Sequence, residues 1–128
     1  MAGATITMKA NKRKTLQEIH AEIHCVEGAE QISKTEQTVG GVTIWTLAYE
    51  KYFFRTGSFT SVTVVLTEYE NEQTACIVSS GGGTGMVNHS YGANRRFAKE
   101  CVEKLEGCGF TVVSSDLERK GIAERFFK

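Results

Sequence analysis

No proline occurs in the 128 residues, so neither a cis-proline turn nor a polyproline segment organises the chain. Charge of one sign is also missing. Lys plus Arg number 15 and Asp plus Glu number 15, which cancels the formal net charge. Such a chain lacks the positive field that duplex nucleic acid or an anionic membrane usually requires, so neither is expected as a partner. No run approaches the ~20 apolar residues of a membrane-spanning helix. Residues Met1 to Lys9 contain no apolar core of a secretory signal, and a cytoplasmic location is expected. The four cysteines, Cys25, Cys76, Cys101 and Cys108, form no C-x-x-C pair. That spacing argues against both a zinc site and a disulfide framework, and for reduced thiols. No internal repeat and no low-complexity tract is present.

What remains is an ordinary globular composition, with 41% hydrophobic and 23% charged residues. It suits one α+β domain over residues 1–128 and is silent on activity.

Ile6 and Met8 alternate with Thr5 and Thr7, which predicts a first strand over 4–10. Thr15-Leu16-Gln17-Glu18 has the form of a capping box. Leu16, Ile19, Ile23 and Val26 then follow at helical spacing, so a helix over 16–27 with Gly28 as its stop is expected. Residues 29–41 are polar and read as a loop with at most a short edge strand. Three strands follow over 42–54, 59–69 and 73–80, rich in β-branched and aromatic residues and joined by short turns. A short strand over 86–90 is expected next, then a helix over 91–106 capped by Ser90, and a final strand near 110–113. An antiparallel sheet of four to five strands with two main helices on one face accommodates this order.

The glycine-dense stretch Gly81-Gly82-Gly83-Thr84-Gly85 is the first candidate site. Consecutive glycines let backbone N–H groups converge on an anion. Arg95 and Arg96 fall in the first turn of the expected second helix, where its dipole disfavours cations unless an anion sits nearby. Gly81, Gly82, Gly83, Thr84, His89, Arg95 and Arg96 are therefore the candidate residues for a small anionic, phosphate-bearing ligand. Neither the P-loop nor the dinucleotide pattern is met, so a plain hairpin or bulge is the competing reading. His20 and His24 stand four apart on the first helix, yet H-E-x-x-H is absent and an ordinary amphipathic boundary explains them. Ser79, Ser80, Cys76 and His89 share a region without any spacing that specifies a catalytic triad. No metal and no cofactor is expected. Trp45, Tyr49, Tyr52, Phe53, Phe54 and Phe59 could line a pocket or simply pack across strands. Lys9, Lys12, Arg13 and Lys14 read as a solvated connector.

Tyr49-Glu50-Lys51-Tyr52 at the end of an aromatic strand, and Ser79-Ser80-Gly81-Gly82 ahead of an amphipathic helix, resemble a family of small cytosolic bacterial α+β domains of unknown function. The resemblance spans about 42–105. It implies a bacterial, cytosolic α+β domain and assigns no activity and no site residue. The β-α-β4-α order resembles that of TATA-binding-protein-like or helix-grip-like domains, in shape alone. The expected function is a non-catalytic binding or assembly module using the sheet–helix cleft, with a homodimer as one form. The alternative is a small enzyme or sensor of an anionic ligand.

Overall fold

The computed structural model describes residues 3–53, 57–81 and 87–115. Its elements run β1 (Gly3–Asn11), α1 (Leu16–Ile23), β2 (Glu30–Val39), β3 (Val42–Phe53), β4 (Ser58–Tyr69), β5 (Glu72–Gly81), α2 (Val87–Glu106) and β6 (Thr111–Ser115). The strands form one antiparallel sheet in the order β2-β3-β4-β5-β1-β6.

The period of two sorts the side chains between the faces. Ile6, Met8, Leu47, Val62, Val64, Leu66, Ala75 and Ile77 point to one side and are buried. They meet Leu16, Ile19 and Ile23 of α1 and Phe97, Cys101 and Leu105 of α2 in one cluster. Both helices therefore cover the same face. α2 lies chiefly across β5, β4 and β1 and touches α1. His20 of α1 and His24, its C-cap, meet the rings of Trp45 and Tyr49 on β3, at centroid distances of 6.0 and 6.4 Å. Each large side chain sealed here stabilises the fold by about 1.5–3 kcal/mol.

Local chemistry sets the ends. The Thr15 hydroxyl accepts from the Glu18 backbone N–H at 3.1 Å, and Glu18 accepts from the Thr15 N–H at 2.8 Å, completing the capping box. Those bonds favour the Glu18 carboxylate and lower its pKa. Gly40 and Gly41 both take positive φ, 57° and 83°, which a two-residue hairpin turn between Val39 and Val42 requires. At the same end of the sheet, buried Gln73 donates to the Lys14 carbonyl and to Glu68, at 2.9 and 2.8 Å. Lys12 reaches the same carboxylate at 3.1 Å, so the β1–α1 connector is tied to the β4–β5 turn.

Three sequence expectations are corrected. The sheet has six strands, not four or five. β2 occupies most of the stretch read as a loop, because an edge strand exposed along nearly its whole length shows no apolar alternation. α1 is shorter than expected. After the His24 N–H bonds to His20, the chain tightens to bonds from Cys25 to Glu22 and from Val26 to Ile23. α2 starts at Val87, so residues 87–90 are helical rather than a strand and Ser90 is not its cap. No proline or glycine interrupts Val87–Ser90, and the helix extends back through them.

β2 carries an inward charge. Lys34, on the helix side opposite Leu47, places its ammonium 4.3 Å from the Trp45 ring centroid and 2.9 Å from Glu36. At the far edge, a register shift between Thr7 and Met8 puts β6 out of step, leaving Val113 59% exposed.

Candidate functional site

α2 turns its apolar stripe, Phe97, Ala98, Cys101 and Leu105, into the core. Arg95, Lys99 and Glu103 follow one another at intervals of four on the flank nearer β6, with Arg96 and Glu100 beside them. Because α2 lies mainly over β5, β4 and β1, β6 projects past it, and a groove of about 760 Å³ opens between them. Arg95, Arg96, Lys99, Glu100 and Glu103 form its wall, with Val112 and Ser115 of β6 opposite. Its charge is unbalanced toward positive. Lys51, from β3, donates to Glu100 at 2.8 Å, so that carboxylate is already matched by a cation outside the groove. Glu103 is then set against two exposed cations, Arg96 and Lys99. Arg95 is half-buried and already engaged.

A second, smaller groove of about 450 Å³ lies between the end of α1 and α2, where Glu27, Glu100 and Glu103 face Cys25, Val26 and Lys104.

The structure places the sequence candidates as follows. Gly81 ends β5 and His89 is the third residue of α2. Gly82, Gly83 and Thr84 lie outside the described residues, as do Phe54 and the chain after Ser115. Arg95 and Arg96 are the ninth and tenth residues of α2, about 12 Å along its axis from Val87, so the expected first-turn placement is corrected. They join Lys99, which was not singled out although it stands one helical turn after Arg95. Ser79 is buried on the helix side while Ser80 is exposed on the other face. Trp45 and Tyr49 are core residues, whereas Tyr52 and Phe59 are exposed and stack edge to face at 5.0 Å.

His20 Nε2 lies 2.6 Å from Gln31 Oε1, an acceptor, so that nitrogen donates its proton there. Tyr49 Oη donates to the same oxygen at 3.4 Å, and burial pushes the phenol pKa up to about 12. Among the described residues no group of three His, Cys, Asp or Glu side chains is placed to hold a metal.

All four thiols are free. Burial pushes Cys101 up to about 12 and raises Cys108 as well. Cys25 is exposed. Alkylation of the native protein at neutral pH, followed by mass spectrometry, is expected to label Cys25 quickly and Cys101 and Cys108 only after denaturation.

Thr60, opposite Gly81, is fully buried and its hydroxyl has no hydrogen-bond partner among the described residues. An orphaned buried hydroxyl costs about 1–3 kcal/mol. Thr60→Val keeps the shape and removes that cost. The urea midpoint is expected to rise by the equivalent of about 1 kcal/mol with an unchanged slope. A lower midpoint would reveal a partner for the hydroxyl.

The antiparallel sheet, the two helices on one face and the cationic cleft at the sheet's border define an α+β protein with a sheet–helix groove. The chain belongs to the family of unknown function DUF6054, which matches residues 1–109. The match takes in β1 through α2 and stops short of β6. No curated protein matches the chain. No described helix is long and apolar enough to cross a membrane.

Proposed function

We propose that the protein is a non-catalytic binding module that holds an anionic ligand, phosphate- or carboxylate-bearing, in the groove between α2 and β6. The observation that carries this reading is the excess of cations on one flank of α2. Arg95, Arg96 and Lys99 front an open cleft whose Glu100 is drawn away by Lys51. Guanidinium groups suit such ligands because they donate two parallel hydrogen bonds to one oxyanion. The state of the reactive groups supports the non-catalytic half. Cys101 and Cys108 are buried, with raised pKa values.

In this reading the β-α-β4-α run over 3–106 is of the TATA-binding-protein-like or helix-grip-like kind, extended by β6. That likeness concerns shape and implies no DNA binding. Titration calorimetry with inorganic pyrophosphate and with an oligoglutamate peptide tests the site and separates the two ligand chemistries. Binding that weakens with salt is expected for at least one of them. Heat-silent titrations with both, at millimolar ligand and low salt, would overturn the proposal.

A further inference from the structure

The face of the sheet opposite the helices is covered by no described element. The register fixes its membership. Thr63 and Val78 pair at its centre, where β4 meets β5, with Val65 and Cys76 next to them. Thr5 and Thr7 of β1 and Thr46 and Ala48 of β3 continue it on either side. The exposed side chains of Tyr52, Phe59, Tyr69 and Val78, 42–56% accessible, all lie on this face. Charge is confined to the borders. Among the described residues of this face, Lys9 and Glu72 sit at one end, 3.9 Å apart, and Glu30 and Glu50 pair at the other. An antiparallel sheet with one solvated face normally alternates apolar residues inward with polar ones outward. Here the outward set is threonine and serine interleaved with valine, alanine and aromatic residues, with no ion in the middle.

We propose that this face packs against the same face of a second copy of the chain, forming a two-layer β-sandwich dimer. Its dimensions fit. Six strands at about 4.8 Å spacing, most of them nine to twelve residues long at about 3.3 Å each, make a surface of roughly 900 Å². That is about the area each partner contributes to a standard stable interface. Its charge fits too. A self-complementary two-fold contact brings each central residue close to its own counterpart, and the centre of this face holds no ion to repel its copy. Sheets packed this way sit about 10 Å apart, with β-branched side chains interdigitating. The helices and the cationic groove stay on the outside of the assembly, so this inference stands apart from the ligand reading.

Light scattering on a size-exclusion column, from about 5 to 500 µM, reads the mass directly. A dimer is expected, and Val78→Lys is expected to return it to monomer while the circular dichroism spectrum is kept. Val78 is 42% exposed, so a lysine there can reach solvent in the monomer. The wild-type protein supplies a second reading through its own thiols. Cys76 lies on this face, and Cys25, in the turn just past α1, on the opposite side. Alkylation of Cys76 is expected to slow at least tenfold as concentration rises through the dimer range, while Cys25 keeps its rate. A monomer at every concentration overturns the proposal. So does a dimer that survives Val78→Lys, and so does Cys76 protection that ignores concentration, which would place another part of the same chain on this face.

Discussion

Phe97→Ala is expected to lower the unfolding free energy by about 3–5 kcal/mol, the range for emptying an aromatic site in a packed core. The ring is fully buried where α2 crosses the sheet. Its loss removes the largest buried side chain among the described residues of α2 and leaves a cavity that the rigid strands beneath cannot close. It also removes the platform under Lys51, whose ammonium stands 5.7 Å from the ring centroid while it donates to Glu100. Against a total stability of about 5–15 kcal/mol for a domain of this size, that is a large fraction. Urea unfolding followed by the single tryptophan, Trp45 on β3, checks it. A loss under about 1 kcal/mol would mean that α2 is not seated on the sheet as described.

The second large effect concerns ligand rather than fold. Arg96→Glu with Lys99→Glu is expected to weaken pyrophosphate or oligoglutamate binding at least 100-fold, about 2.8 kcal/mol. Both side chains are exposed, so the unfolding midpoint is expected to stay close to wild type. The reversal turns a groove with a cationic excess into one lined by carboxylates, and the anion then meets repulsion where it met donors. Arg95 is the poorer choice for such a test, because it is half-buried and its loss would mix packing with charge. Calorimetry on the double variant, with its melting curve alongside, separates the two contributions. Unchanged affinity in a folded variant rules this groove out as the binding place.

The sequence made the middle of the sheet readable and its borders obscure. Val62, Val64 and Leu66 alternate with Ser61, Thr63 and Val65 because one side of β4 is sealed and the other is not, and periodicity registers that contrast. β2 has no such contrast. Its residues meet solvent on both sides, so nothing in their order distinguishes a strand from a loop. The start of α2 was obscured for another reason. Ser90 is a good N-cap residue, but a capping signal only permits a start, and the helix runs on through it. Arg95 and Arg96 drew notice for a first-turn position they do not occupy. Their companion Lys99 was legible one turn later, whereas the opposing wall was not. The approach of Val112 and Ser115 depends on β6 pairing with β1 across the whole chain, which no local pattern encodes.

Lys34 gives the two borders of the sheet different fates. An incoming foreign strand at β2 would strip water from an ammonium already poised between Glu36 and the Trp45 ring, an energetic barrier to fibrous growth from that side. Across the sheet, the Thr-Val-Val-Ser-Ser run of β6 carries no such gatekeeper. β6 is guarded differently, by being only five residues long and by the register shift at Thr7 and Met8, two features that blunt an edge.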